Sequence, residues 1–135
     1  MRIFVDSNVP MYDAGREHPN REPSRRFLAR VRDGEVEACT STEVLQEILY
    51  RYSSLRRLDL AARVYDLFVR LCPVIFPVTL ADTDRAKELL CASGGGISAR
   101  DALHAAVMLQ NGITRIASFD GGLDSVPGIE RVTPS

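Results

Sequence analysis

The chain lacks long apolar runs and any pairing pattern among its few cysteines. No apolar run approaches the roughly 20 residues that a membrane-spanning helix needs. The N-terminus has no charged region followed by an apolar one, so we expect no signal peptide. The three cysteines, Cys39, Cys72 and Cys91, are odd in number and show no CxxC spacing, which argues against a disulfide framework and a structural zinc site. These absences favour a protein of the reducing cytoplasm without a membrane anchor.

An excess of positive charge is also lacking, because the formal net charge is -1. No global positive field therefore indicates nucleic acid binding. Of the 17 basic residues only Lys87 is a lysine, and arginine is the better bidentate ligand for phosphate, although a GC-rich genome explains the same bias. The chain has no GxSxG, Walker or GxGxxG motif, and we expect the glycines at 94–96 only to end a helix.

Short apolar strands alternate with amphipathic helices along the 135 residues. This alternation predicts a single α/β domain over 1–135 with a central, mainly parallel sheet. The predicted strands cover 3–5, 36–39, 74–76, 115–118 and 129–132. The first predicted helix begins at Pro23, and the others cover 40–52, 58–71, 81–92 and 98–111. Each has apolar residues at helical spacing.

Four acids are placed where such a fold brings side chains together. Asp6 and Asp120 directly follow apolar strands, at the carboxyl ends where open α/β sheets bind ligands. Asp101 lies in the first turn of its helix, and Glu47 lies beside the apolar side of its own. Four carboxylates in one cleft need a counter-charge. A Mg²⁺ ion suits oxygen ligands and promotes hydrolysis of phosphodiesters by activating water.

Some acids in these helices also have a structural explanation. Glu43 follows Thr40 by three residues, the spacing of a capping box, and we interpret it as a capping residue. Asp101 follows Ser98 by the same spacing and could serve only the helix dipole. Glu47 has no capping role, which makes a functional role the better explanation for it.

The acids near the C-terminus leave similar alternatives open. Asp120 and Asp124 flank two glycines and could be turn residues. We favour Asp120 for function because it closes a strand, and we treat Asp124 as a possible outer acid. His104 follows Asp101 by three residues on the same side of its helix, and we interpret it as a packed residue or one that supports the ligands.

Two groups of arginines are candidates for contact with phosphate groups. The alternative is a solvated helix face, and the sequence leaves both interpretations open. The first group lies around the helix that begins at Pro23, and the second follows the helix of Glu47: Arg21, Arg25, Arg26 and Arg30; Arg51, Arg56 and Arg57.

Four stretches resemble the PIN domain, and within it the VapC-type toxin ribonucleases of toxin–antitoxin pairs. They are FVDSNV, TSTEVLQEIL, SARDALHAAV and IASFDGGLD, in the family's order over nearly the whole chain. The resemblance implies a three-layer fold with helices flanking the sheet. It also implies an endoribonuclease that uses Mg²⁺ or Mn²⁺. The residues it implies are the catalytic acids Asp6, Glu47, Asp101 and Asp120, of which Asp6, Asp101 and Asp120 bind metal, with Asn8 as polar support.

The family pattern is not matched at every position. The family often has an aromatic residue where this chain has Leu123, and Asp124 matches an acid that only some members carry. The resemblance further implies RNA as substrate, a homodimer and inhibition by a cognate VapB-type antitoxin that approaches the acidic cleft. An antitoxin arginine there would compete with metal, and Tyr50, Tyr52 and Leu55 are candidate contacts for the rest of that partner.

Two other functions remain as alternatives. A catalytically silent PIN-like module would only bind RNA or protein, and the presence of all four acids argues against it. A phosphatase of the haloacid dehalogenase type needs a second aspartate two residues after the first, and this chain has Asn8 there.

Overall fold

Five parallel strands and six helices make up residues 2–135, which the computed structural model describes. The pairings β1–β2, β1–β4, β2–β3 and β4–β5 are all parallel. The strands are β1 (Arg2–Val5), β2 (Glu37–Ser41), β3 (Val74–Phe76), β4 (Arg115–Ala117) and β5 (Glu130–Val132). The helices are α1 (Asn8–Ala14), α2 (Arg21–Arg32), α3 (Thr42–Ser54), α4 (Leu58–Leu71), α5 (Leu80–Ala92) and α6 (Ala99–Gln110).

Strand β1 lies at the centre of the sheet, whose order is β3-β2-β1-β4-β5. Phe4 and Val5 are fully buried, as the apolar run predicts for a strand covered on both faces. Phe4 pairs with Cys39 on one side and with Ile116 on the other. The chain adds β2 and β3 on one side of β1 and then β4 and β5 on the other. The order of strands thus reverses between β1 and β4, and ligands bind at the carboxyl ends of strands at such points.

The helices form two contact groups around this sheet. Helix α4 contacts α1, α2 and α3, whereas α5 and α6 pack closely against each other. The predicted α/β fold, a parallel sheet flanked by helices, is confirmed. Within residues 2–135, no helix is both long enough and apolar enough to span a bilayer.

The predicted start of α3 is wrong by two residues. Strand β2 continues to Ser41, and the buried Thr40 donates a hydrogen bond to the carbonyl oxygen of Val5, 3.1 Å away. Ser41 is the N-cap, and its side chain accepts a hydrogen bond from the amide of Val44 at 3.3 Å. Thr40 and Glu43 therefore form no capping box, because the pairing of β2 with its neighbours keeps Thr40 in the sheet.

Two apolar side chains lie elsewhere than predicted. The helical spacing of apolar residues over 58–71 predicts Leu67 on the inner side of its helix, but Leu67 is 50% exposed. Ala61, Val64 and Phe68 form the buried stripe of α4, and Leu67 lies at its edge. Tyr52 was expected to be available to a partner, but it is buried on the stripe that α3 turns toward the core.

Candidate active site

Asp6 lies where β1 ends, in the centre of the sheet. Its backbone amide still donates to the carbonyl of Ala117 on β4, at 3.1 Å. One carboxylate oxygen, Oδ1, accepts a hydrogen bond from the amide of Ser7 at 2.7 Å, and Oδ2 accepts one from the hydroxyl of Ser118 at 2.8 Å. Burial raises the pKa of Asp6, although the charge of His104 and the Ser118 hydroxyl act in the opposite direction. The ionised form of Asp6 therefore needs a nearby cation.

Glu47 on α3 is held from two sides. Its Oε2 accepts a hydrogen bond from the hydroxyl of Ser7 at 3.0 Å, and its Oε1 contacts Nε2 of His104. Burial acts to raise the pKa of Glu47, but the hydrogen bond and charge of His104 outweigh it and lower that pKa. Burial acts to lower the pKa of His104, but the hydrogen bond and charge of Glu47, with the charge of Asp6, raise it. The two side chains thus form a buried ion pair.

Asp6, Glu47 and His104 lie close together. One ligand atom each from Asp6, Glu47 and His104 lies within 4.8 Å of the other two. His104 is 2% exposed. Carboxylate oxygens are the ligands that Mg²⁺ prefers, whereas His104, as the cation of the ion pair with Glu47, has no free ring lone pair to offer a metal. The carboxylates of Asp6 and Glu47 therefore fit a divalent cation, and His104 serves as a counter-charge beside it.

Asp101 and Asp120 approach the same place from α6 and from the end of β4. Ser98 caps α6 by accepting a hydrogen bond from the amide of Asp101 at 3.0 Å. Asp120 Oδ1 accepts a hydrogen bond from the amide of Gly122 at 3.1 Å. The carboxylate of Asp101 lies directly against Gly122, with its Cγ 2.9 Å from the place that a Cβ at Gly122 would occupy. The turn after β4 is thus in contact with both acids.

One open cleft of about 360 Å³ connects these groups. All four acids that the sequence singles out contribute to its lining, together with side chains from α1, α3 and α6. The lining residues are Asp6, Ser7, Asn8, Met11, Tyr12, Glu47, Tyr50, Arg51, Arg100, Asp101, His104 and Asp120.

A network of small polar side chains fixes the ends of β1 and β4 relative to each other. Asn8 Nδ2 donates to the hydroxyl of Ser118 at 3.0 Å, and Asn8 Oδ1 accepts from the amide of Phe119 at 3.4 Å. The hydroxyl of Ser118 also accepts from the amide of Asp120 at 3.0 Å. Sequence reasoning missed Ser7 and Ser118, although each stands within two residues of a predicted acid at a strand end.

Asp124, the possible outer acid, faces a different partner. Its two oxygens accept hydrogen bonds from the guanidinium of Arg131, at 2.8 and 3.2 Å. It is not among the residues that line the cleft in the described part of the chain. The structure places it in an ion pair beside the site.

The predicted arginine groups are only partly at the cleft. Arg25 contacts Asp13 and Glu22, and other members of both groups bind neighbouring acids or lie away from the cleft. Of the seven, only Arg51 lines it. Arg100, which sequence reasoning did not select, lines it too; its position directly before Asp101 was the available signal. The ion pairs of the remaining members are Arg30–Glu35 and Arg57–Asp59, and Arg21, Arg26 and Arg56 lie outside the lining.

Comparison with known proteins agrees with this geometry. The family model described as the PIN domain matches residues 3–129. Ribonuclease VapC13 of Mycobacterium tuberculosis is 40% identical over 130 residues, which are 96% of this chain and 98% of that protein. Ribonuclease VapC23 of the same species is 41% identical over 123 residues, 91% of this chain and 96% of that protein.

Solved structures share the fold. Mycobacterium tuberculosis VapC20, described as a sarcin-ricin loop cleaving toxin, has a TM-score of 0.74 at 23% identity and covers 93% of this chain and 95% of its own. VapBC2 from Rickettsia felis, solved with a DNA fragment from its promoter, has a TM-score of 0.74 at 16% identity and covers 98% of both chains. With these full-length matches, the chain belongs to the PIN-domain family and, within it, to the VapC ribonucleases.

Proposed function

We propose that this chain is a divalent-metal-dependent endoribonuclease, with residues 1–135 as one domain, and that it is the toxin of a VapBC-type pair. The observation that carries the proposal is the convergence of Asp6, Glu47, Asp101 and Asp120 on one cleft at the switch point of the sheet. The ribonuclease names of its full-length relatives support the same reaction.

The charge in the cleft supports a requirement for metal. Four carboxylates are balanced inside the cleft by one buried histidine and by two arginines, Arg51 and Arg100. Burial raises the pKa of Asp6 even with His104 nearby, so the ionised cluster is incompletely compensated. A bound Mg²⁺ or Mn²⁺ ion would supply the missing charge. We assign Asp6, Asp101 and Asp120 as its protein ligands, directly or through water.

The residues of the cleft have separate tasks in the proposed reaction. A bound divalent cation supplies an activated water and neutralises charge on the reacting phosphate. Asp6, held by Ser7 and Ser118, presents a carboxylate of fixed orientation. Glu47, kept ionised by His104, can accept a proton or hold a water at the floor of the cleft. Asn8 keeps the loop that carries Asp120 against β1.

The proposed partners follow from the family. We propose a VapB-type antitoxin, a homodimer, RNA as substrate and a cytoplasmic location. A solved structure from Klebsiella pneumoniae that shares this fold is described as a toxin–antitoxin complex, which supports the first of these. For contacts on this chain we retain Tyr50 and Leu55, which are 65% and 60% exposed.

The matched pair Glu47→Gln and Glu43→Gln tests the function. Both are glutamates of α3, but only Glu47 lines the cleft. We expect Glu47→Gln to lower the rate of RNA cleavage in Mg²⁺ by roughly 100-fold or more, whereas Glu43→Gln retains activity near that of wild type. The measurement is cleavage of a total RNA preparation by the purified chain, with circular dichroism to verify folding.

Two results would contradict the proposal. Equal loss in both folded variants would show that α3 acts through its overall charge rather than through Glu47. A folded wild-type chain that binds RNA but leaves it intact in Mg²⁺ and Mn²⁺ would favour a catalytically silent module.

A further inference from the structure

The rim of the acidic cleft carries one exposed aromatic side chain and two arginines on adjacent helices. Tyr50 and Arg51 come from α3, and Arg100 comes from the first turn of α6. Within residues 2–135, neither arginine has an ion pair with an acid. Arg100 is close enough to Glu47 for its charge to lower the pKa of that carboxyl. We name Tyr50, Arg51 and Arg100 the rim triad.

The position of Arg100 is not explained by helix stability. A cation in the first turn of a helix opposes the helix dipole, which favours negative charge there. Asp101, the next residue, satisfies that preference for negative charge, whereas Arg100 places a positive charge against it. Arg100 is exposed and donates no hydrogen bond to a described side chain, so its guanidinium is available to an anion entering the cleft. Arg51 lies in the last turn of α3, where a cation suits the dipole.

The two tyrosines of the cleft differ in their surroundings. The ring of Tyr12 is already packed, with its centroid 4.6 Å from that of His18 and 5.3 Å from that of Phe119. Tyr50 is 65% exposed, and no aromatic contact involves it among the described residues. The cleft lining thus combines one exposed ring with two guanidinium groups, the kinds of group that bind single strands, with a base stacked on the ring and phosphates on the cations.

We infer that the rim triad is a subsite for an unpaired nucleotide next to the scissile phosphate. Tyr50 stacks on its base, and Arg51 and Arg100 bind the flanking phosphates. The inference rests on the proposed function and specifies that the RNA substrate is unpaired at this subsite, since a base can reach Tyr50 only when it is not held in a duplex. The phosphate contacts also offset the repulsion between RNA and the acids of the cleft.

The test uses one oligoribonucleotide, single-stranded or annealed to its complement, with the full-length chain. Tyr50→Phe keeps an aromatic ring and Tyr50→Leu removes it. Arg51→Gln and Arg100→Gln each remove one cation, and Arg85→Gln, on α5 and outside the cleft, is the matched control. The readouts are KM and kcat in Mg²⁺, and the affinity for RNA in EDTA at several salt concentrations.

We expect Tyr50→Leu to raise KM by roughly 10-fold with little change in kcat, and Tyr50→Phe to resemble wild type. Arg51→Gln and Arg100→Gln should each reduce the log–log salt slope of binding by about 0.7, whereas Arg85→Gln leaves it unchanged. The annealed RNA should be the poorer substrate.

The contrary results separate this inference from the proposed function. Suppose that RNA is cut, and that Tyr50→Leu and both arginine variants have the same KM and the same salt slope of binding as wild type. That result would overturn the subsite alone. If the wild-type chain cuts no RNA, and Tyr50→Leu binds single-stranded RNA more weakly than wild type does, the nuclease would be overturned and the subsite retained.

Discussion

His104 balances the charge of Glu47 inside the protein. It is the one cation in hydrogen-bond contact with that carboxylate among the described residues, and its own side chain is 3% exposed. Sequence spacing placed His104 on the side of α6 that carries Asp101, but a contact across 57 positions between two helices could not be read from either helix alone. The contact depends on how closely α3 and α6 approach the end of β1.

Replacement of His104 by leucine should destabilise the metal-free protein. Glu47 would be left largely buried without its cation, at a cost of about 3 kcal/mol in the free energy of unfolding. Adding Glu47→Gln should recover part of that loss, because the uncompensated charge is removed. Urea unfolding of the wild type, both single variants and the double variant measures the coupling. Strictly additive effects would show that the ion pair contributes nothing.

Gly122 is the residue whose small size the site requires most directly. A Cβ there would collide with the carboxylate of Asp101, and the end of that side chain is the part that can move away. Gly122→Ala should therefore lower the rate of RNA cleavage by about 100-fold while changing the stability by less than about 1 kcal/mol.

Gly121→Ala is the matched control for this prediction. A Cβ at Gly121 would meet Oδ2 of Asp124 at 2.9 Å, and Asp124 is outside the cleft lining. We expect the cleavage rate of Gly121→Ala to fall by no more than the several-fold expected for loss of the Arg131 ion pair, and so to stay well above that of Gly122→Ala. Equal rates in the two glycine variants, measured under the same metal concentration, would contradict the importance of the Asp101 position.

Among the elements, the turn after β4 is the one that the sequence described least well. The pattern IASFDGGLD predicted a strand followed by a glycine turn, and β4 and the turn are both found. The role of Arg131 on β5 could not be predicted from the sequence, because only the path of the turn after β4 brings Asp124 against its guanidinium. Strands and helices could be predicted because their apolar periodicity is local, whereas the hydrogen bonds among Asp6, Asn8 and Ser118 depend on which strands are neighbours.

Arg131 should hold this turn in place. It binds Asp124 through two hydrogen bonds, and its third contact is to the carbonyl of Ser118 at 3.5 Å. Arg131→Gln should speed hydrogen exchange of the amides over 119–126 and lower the cleavage rate several-fold. The stability should fall by about 1 kcal/mol or less, since the pair is partly exposed.

A second surface pair provides the control for that variant. Arg32→Gln removes the ion pair with Asp33 at the end of α2, far along the chain from the turn. It should leave exchange over 119–126 unchanged. If Arg131→Gln leaves it unchanged as well, the ion pair does not position the turn.

At the scale of the whole molecule, the fold concentrates negative charge in one place on a chain of almost zero net charge. The formal net charge is -1, yet four acids share one cleft. The acids at the strand ends could be predicted from the sequence, because each follows a buried strand and both strands run in parallel. The balance of charge could not, because it depends on His104, Arg51 and Arg100 reaching the cleft from two helices.

The central claim is that this cleft binds a divalent cation through Asp6 and thereby cuts RNA. The most direct measurement is a Mn²⁺ titration of wild type and Asp6→Asn that follows thermal unfolding and RNA cleavage together. In wild type we expect the melting temperature and the cleavage rate to rise with the same midpoint in Mn²⁺ concentration. In Asp6→Asn we expect neither to respond to Mn²⁺. Without metal, Asp6→Asn should melt no lower than wild type, because burial disfavours the ionised carboxyl that it removes. Undiminished cleavage in EDTA, or a wild-type midpoint in Asp6→Asn, would contradict the claim.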